Sequence, residues 1–220
     1  MTSRYKAMIF DMDGTLLDSM LLWRTVWKEY IAKNGIATPA ELVGKSDYGC
    51  MKSCGLIAEQ EGRDREEIYA EMRQLIQAHY MSDIQPKPHA GELLEALKAE
   101  GYTVGVATAT LRDMAYPALE RHGLTKHIDF FCDVDEIGLS KSDPEFFVRT
   151  AALAGAKPED CVMFEDAVYA MRSAKAAGLS LVAIEEPMSR RDREEILSLA
   201  DRYVLSWDEV IKSLPVIIDK

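Results

Sequence analysis

Two aspartates lie two residues apart after a short apolar run, in Ile9-Phe10-Asp11-Met12-Asp13-Gly14-Thr15. In extended chain, residues i and i+2 point to the same side, ~6–7 Å apart. Carboxylates so placed repel unless one is protonated or a cation lies between them. A bound Mg²⁺ relieves that repulsion and gives a phosphate a place to dock. One carboxylate can then attack phosphorus while the other handles the leaving-group proton. Gly14 permits a tight turn that leaves backbone N–H groups for phosphate oxygens. The purely structural alternative is an Asp-Gly turn with Asp13 as a cap. A calcium loop is excluded, because neither an Asn/Asp at the next ligand position nor a Glu at loop position 12 follows Asp11.

Three later segments carry polar groups at the ends of apolar runs. Val106-Ala107-Thr108-Ala109-Thr110 ends in hydroxyls ahead of a helical pattern. A hydroxyl with open N–H groups there suits an anion, and Thr110 can equally be a plain N-cap. In Ser140-Lys141-Ser142-Asp143-Pro144, capping by Asp143 with Pro144 at the first helical position explains two residues and leaves Lys141 unexplained. In Val162-Met163-Phe164-Glu165-Asp166, two acids end a buried run, a costly placement without a cation or donors. Asp166 as a cap leaves Glu165 unaccounted for.

Six strands are expected at residues 6–12, 103–109, 129–134, 161–165, 180–184 and 202–205, several of them continuously apolar as in strands covered on both faces. Helical patterns at 91–100, 112–122, 144–154, 167–177 and 191–200 alternate with them, which implies a parallel α/β sheet. Ligands bind such sheets at the carboxyl edge of the strands, where all four polar segments would lie. Residues 19–85 break the rhythm with three or four helical segments: Leu22, Val26, Tyr30 and Ile31 stripe the first, Gly35 ends it, Thr38-Pro39 opens the next, and Met72, Leu75, Ile76 and His79 stripe the last. A linker rich in proline follows. The parse is a Rossmann-like core of residues 1–18 and 86–220, interrupted by a helical insert at 19–85.

The chain has 220 residues, 48% apolar and 29% charged, with a formal net charge of −11. This acidity argues against non-specific binding to nucleic acid or anionic membrane. With no secretory core or membrane-length apolar run, a cytoplasmic location is expected. Cys50, Cys54, Cys132 and Cys161 read as reduced thiols, and the scattered His79, His89, His122 and His127 attach to no nucleophile.

Taken in order, the four polar segments resemble the motifs of the haloacid dehalogenase superfamily of phosphotransferases: Asp-x-Asp-Gly-Thr, a strand-end Thr, a Lys and Glu-Asp. The insert resembles that family's α-helical cap, as in members similar to phosphoglycolate phosphatase and β-phosphoglucomutase. The resemblance implies Asp11 as nucleophile and Asp13 as general acid and base. It implies Mg²⁺ held by Asp11, the Asp13 carbonyl and Asp166, with Glu165 as ligand or support. Thr108, the Ala109 N–H and Lys141 would hold the phosphate of a small phosphorylated metabolite, under a cap that closes to exclude water; no obligate protein partner is indicated. Asp13 departs from dehalogenases and phosphonate-cleaving members. Trp23 replaces the cap histidine of β-phosphoglucomutases, and Asp47 follows Gly44-Lys45-Ser46 where they carry Arg, which favours a hydrolase over a phosphomutase. Ser142 replaces the usual Pro after the Lys. A third alternative is a binding protein that keeps the fold without turnover. Trp23, Lys45, Asp47 and Arg112 are the candidates to face the leaving group, each with a bland alternative: packing for Trp23, solvated charge for the others. Arg112 is expected to reach a second anionic group.

Overall fold

The structure, a computed structural model, describes residues 5–214. Its sheet is built from β1 (Ala7–Phe10), β2 (Thr103–Thr108), β3 (Phe130–Asp133), β4 (Cys161–Glu165), β5 (Ser180–Ile184) and β6 (Arg202–Val204). They lie in the order β3-β2-β1-β4-β5-β6, and every pairing is parallel. β1 and β4 are buried along their whole length, which is why their sequences are continuously apolar rather than alternating. The chain steps outward from β1 through β2 and β3, then returns to the other side of β1 as β4. That reversal opens a crevice at the carboxyl ends of β1 and β4.

The helices are α1 (Met20–Asn34), α2 (Cys50–Glu61), α3 (Arg65–Tyr80), α4 (Ala90–Ala99), α5 (Arg112–Arg121), α6 (Val134–Ile137), α7 (Pro144–Leu153), α8 (Val168–Ala177), α9 (Arg193–Leu199) and α10 (Trp207–Lys212). The chain divides into two compact units, one running to Asp18 and resuming at Gln85, the other spanning Ser19–Ile84. In the α/β unit, α7 and α8 bury Phe146, Phe147 and Met171 against Ala7, Ile9 and Met163 of the sheet. The two chain crossings run side by side there: Asp18 N–H donates to the Gln85 carbonyl at 2.9 Å and Lys87 N–H to the Leu16 carbonyl at 2.8 Å.

Strand ends differ from the sequence reading in ways that matter for the site. β1 stops at Phe10 and β2 at Thr108, so Asp11, Met12 and Ala109 leave the ladder. Residue 134 starts α6 instead of ending β3, because the Asp133 carboxylate caps the turn by accepting from Glu136 N–H at 2.8 Å. A 3₁₀ turn at Pro187–Asp192 delays α9 to Arg193. The short α6 and α10 were not foreseen.

In the helical unit, Gly35 ends α1 in the left-handed conformation, with φ of 65°. No helix opens at Pro39. A single 3₁₀ turn, Ala40–Leu42, stands there, and α2 begins at Cys50. Asp64 caps α3 by accepting from the N–H groups of Glu66 and Glu67. Val26, Trp27, Tyr30 and Ile31 of α1 and Ile68, Met72, Leu75, Ile76 and Tyr80 of α3 are buried, whereas Leu22 and His79 are half-buried. All four cysteines are free and buried. Among the described residues, no helix is long and apolar enough to cross a membrane.

His79 joins α1 to the end of α3, with Nε2 2.7 Å from Glu29 and Nδ1 2.8 Å from Asp83. The bond to Glu29, more than it is opposed by burial, holds the imidazole pKa above its usual value. The folded pKa is raised, so the pair's contribution is complete below the unfolded value and disappears as pH rises through the folded one. For this partly exposed pair it is about 0.5 kcal/mol. His79→Gln is therefore expected to lower Tm by ~1–2 °C at pH 5.5 and by nothing measurable at pH 9, as read by thermal denaturation at both pH values.

Candidate active site

The parallel register sets Phe10 beside both Val106 and Phe164. Asp11, one residue past β1, therefore lies level with the end of β4, and its N–H donates to the Phe164 carbonyl at 2.9 Å. Lys141 comes from the loop ahead of α7. Its ammonium donates to Asp11 Oδ1 at 2.5 Å and to Glu165 Oε2 at 2.6 Å, and the side chain is only 1% exposed. The other Glu165 oxygen accepts from the N–H groups of Asp166 (3.1 Å) and Ala167 (3.0 Å). Both Glu165 oxygens are thus committed to aiming the lysine and shaping the turn. Asp166 accepts from the Thr15 hydroxyl at 3.5 Å and from the Ser189 hydroxyl at 3.1 Å. It does not cap α8, whose N-cap is Ala167 without a side-chain bond.

A stacked aromatic pair underlies these acids. Phe10 and Phe164, each directly preceding an acid of the site, stack with centroids 4.2 Å apart, and Trp207 of α10 packs edge-on against both. The Trp207 indole N–H donates to the Thr15 carbonyl at 3.0 Å, tying the loop after β1 to the end of the described chain. Gly14 has φ of 83°, as the tight turn requires. Its N–H is not left for a ligand, since it donates to the Leu17 carbonyl at 2.8 Å.

On the β2 side, Thr108 is buried and its hydroxyl oxygen accepts from Thr110 N–H at 3.0 Å, while Ala109 is exposed. Thr110 is not the N-cap of α5; that position is Leu111. The Thr110 hydroxyl instead donates to Asp13 Oδ2 at 2.6 Å. Ser142 explains its own presence: its N–H, which a proline would lack, donates to the Ser140 hydroxyl at 3.1 Å and holds the lysine loop.

Arg112, expected to reach an anionic ligand, is pinned to the protein. Its guanidinium bonds Glu136 through Nε and Nη2 and the Phe131 carbonyl at 3.0 Å, and it lies over the Phe131 ring. Its N–H donates to the buried Asp133 carboxylate at 2.6 Å. Asp47, expected as a solvated charge or substrate contact, accepts from Arg24 Nη2 at 2.6 Å and from the Ser46 hydroxyl. The Trp23 indole N–H donates to the Tyr80 hydroxyl at 2.9 Å, and Lys45 is exposed. Asp133, Ser189 and Trp207 carry no signal in the sequence, and Thr110 reads there as an N-cap and not as a partner of Asp13. Only Thr110 left a trace, as the second hydroxyl of Thr108-Ala109-Thr110 with the i, i+2 spacing that faces one side.

The electrostatics of the cluster call for a cation. Asp11, Glu165 and Asp166 are buried, each with a carboxylate oxygen within 4.8 Å of the others, and one lysine faces them. Burial, then the Glu165 charge, pushes the Asp11 carboxyl up to about 8 against the pull of Lys141. Burial, with Glu165 and Asp11, raises Asp166 well above the carboxylate range. For Lys141 the order is reversed: burial alone would lower its pKa, but the two carboxylates prevail and raise it. Three acids against one ammonium leave the pocket short of positive charge. An all-oxygen donor set suits a hard divalent ion such as Mg²⁺.

The parallel α/β architecture thus places acids at the β1 and β4 ends, with a helical unit inserted after β1. The family model for haloacid dehalogenase-like hydrolases matches residues 5–178, and the chain belongs to that family. It is 26% identical over 189 residues to the fructose-1-phosphate phosphatase YqaB of Escherichia coli, covering 84% of this chain and 98% of the relative. It is 28% identical to hexitol phosphatase A of the same organism, covering 84% and 85%. The β-phosphoglucomutase structure from Clostridium difficile superposes with a TM-score of 0.68 over 96% of this chain and 99% of that one, at 21% identity.

The raised carboxyls would make binding of a cation at this cluster dependent on pH. The folded protein retains Asp11 protons that the unfolded chain has released, so without a cation its stability falls as pH rises from the ordinary carboxylate range through about 8. Mg²⁺ held by these carboxylates would compete with those protons. At ~100 times its Kd it is expected to add about 2.7 kcal/mol, a Tm gain of ~5–10 °C, at pH 8.5 and much less at pH 5.5. Thermal denaturation with Mg²⁺ or EDTA checks this. An equal gain at both pH values, or an undiminished gain in Asp166→Asn, contradicts it.

Proposed function

We propose that the chain is a Mg²⁺-dependent phosphatase that hydrolyses a small phosphorylated metabolite through an aspartyl-phosphate on Asp11. The observation that carries this reading is the buried Lys141 ammonium, fixed between Asp11 and Glu165 at the ends of adjacent strands. A lysine used only for packing or solubility would not be sealed against a carboxylate that has a second carboxylate two residues on.

The chemistry follows from the placement. Lys141 and the β1 turn hold the Asp11 carboxylate in one orientation, so an oxygen can attack phosphorus in line with the leaving group. As the Asp11 O–P bond forms and the ester P–O bond breaks, Asp13 gives its proton to the departing oxygen. Asp13 then takes a proton from water as that water attacks the aspartyl-phosphate, which releases phosphate and restores both acids. Lys141 stabilises negative charge on the transferring group. The Thr108 hydroxyl oxygen already accepts from Thr110 N–H, so its proton is available to a phosphate oxygen, beside the Ala109 N–H. Asp11, Asp166 and the Asp13 carbonyl would hold Mg²⁺, which supplies the positive charge the acid cluster lacks. Glu165 acts by holding Lys141.

The named sequence relatives act on fructose 1-phosphate and hexitol phosphates, which supports a sugar or sugar-alcohol phosphate as the substrate class. The resemblance to a phosphomutase structure, at 21% identity, is one of fold. Wild-type protein with Mg²⁺ is expected to release phosphate from 4-nitrophenyl phosphate and from members of a sugar-phosphate panel. Asp11→Asn is expected to lose activity by a factor on the order of 10⁴–10⁶. Unchanged turnover in Asp11→Asn, or 6-phosphate formed from β-glucose 1-phosphate with a bisphosphate primer, overturns the proposal.

A further inference from the structure

We infer that Thr110 is a positioning residue for Asp13, an inference that rests on the acid–base reading of Asp13 above. The Thr110 hydroxyl reaches Asp13 Oδ2 at 2.6 Å across the gap between the ends of β1 and β2. Thr110 is buried, with 6% exposure, while Asp13 is half-buried. A general acid must hold one oxygen within about 3 Å of the reacting atom, and misplacement by ~1 Å can cost 10²-fold.

Thr110 is itself held on both sides. Its N–H donates to the Thr108 hydroxyl oxygen at 3.0 Å. Two residues on, Arg112 N–H is fixed by Asp133 at 2.6 Å and the Arg112 side chain by Glu136. Asp133 also caps α6, so the loop carrying Thr110 is pinned to the end of β3. The hydroxyl is thus a rigid reference point, displaced from the capping role its position suggests and turned on the carboxylate.

The choice of a hydroxyl has a chemical reason. Asp13 alternates between acid and carboxylate in each turnover. The hydroxyl donates to Oδ2 both when Asp13 is a carboxylate and when Oδ2 is the carbonyl oxygen of the acid, so the contact survives both halves of the cycle while the other oxygen carries the proton to the leaving group. An ammonium or guanidinium in its place would favour the ionised form and weaken Asp13 as an acid.

The test uses two esters that differ in their need for a proton. Phenolate leaves with a conjugate-acid pKa near that of tyrosine, about 10, whereas 4-nitrophenolate leaves readily unprotonated. kcat/KM reports the first transfer, up to leaving-group departure. For Thr110→Val, kcat/KM for phenyl phosphate is expected to fall ~10–100-fold, part of the 10²–10⁴ that an intact general acid contributes. The fall for 4-nitrophenyl phosphate should stay within ~3-fold, inhibition by inorganic phosphate should not change, and Thr110→Ser should recover most of the loss. Asp13→Asn, assayed in parallel, should show the same selectivity at larger amplitude. If Asp13→Asn is selective and Thr110→Val is not, the inference falls and the reading of Asp13 stands. If Asp13→Asn slows both esters equally, that reading fails and takes the inference with it. Should Thr110→Val not fold, Thr110→Ala against Thr110→Ser makes the same comparison.

Discussion

One ammonium sealed between two carboxylates sets the terms for the rest of the α/β unit. Lys141 must be delivered from a loop after β3 to a point between the residues that follow β1 and end β4. That requires β1 and β4 to be neighbours, although some 150 residues separate them in sequence. Burying such a group is not a route to stability. Desolvating the ions offsets their attraction, and an apolar replacement of equal volume is often as stable or more so. The arrangement persists because the surrounding frame absorbs its cost. Fully buried β1 and β4, the stacked Phe10–Phe164 pair and the Trp207 edge contacts make a stiff apolar floor directly beneath the charges.

Above that floor, short polar side chains set each acid separately. Thr15 and Ser189 address Asp166, backbone N–H groups address Glu165, and Thr110 addresses Asp13. A second ion pair, of half-buried Lys87 with buried Glu186, repeats the design at the rim. Lys87 bonds the Glu186 carboxylate at 2.7 Å and the Glu185 carbonyl at 3.3 Å, and its N–H donates to the Leu16 carbonyl. The loop after β1 is therefore stitched to the end of β5 by Lys87, just past the point where the α/β unit resumes, and to α10 by Trp207. Four partly independent tethers converge on a loop of a few residues. Such convergence holds reacting groups in place without reorganisation during the reaction.

What the sequence disclosed follows from which forces are local. Six strands were legible because burial on both faces leaves an unbroken apolar run, and β4 and β5 could be read to the residue. Their ends were less legible. Asp133 looks like a strand terminus until its carboxylate is seen capping α6. Arg112 and Asp47 looked like free charges because their partners, Glu136 and Arg24, lie 24 and 23 residues away. Asp11, Thr108 and Glu165-Asp166 stood out because each ends an apolar run with a group that burial penalises, and Lys141 because capping leaves it unexplained. Thr110, Ser189 and Trp207 did not, because a hydroxyl or an indole is an ordinary residue until a tertiary contact gives it a task.

The charge count also orders the roles of the ions. Lys141 is the positive side chain sealed within the acid cluster, and its hydrogen bonds already go to Asp11 and Glu165. An ammonium has three donors, so one direction remains for a phosphoryl oxygen. Against it stand Asp11, Glu165 and Asp166, with Asp13 at the rim of a chain whose net charge is −11. A phosphate dianion approaching that set meets net repulsion if every acid is ionised. On the proposed reading, proton retention by Asp11 and Asp166 and cation binding are two ways of meeting the same deficit. Only the second leaves Asp11 as a carboxylate able to attack. The lysine orients the nucleophile, and the missing positive charge decides when the nucleophile is available.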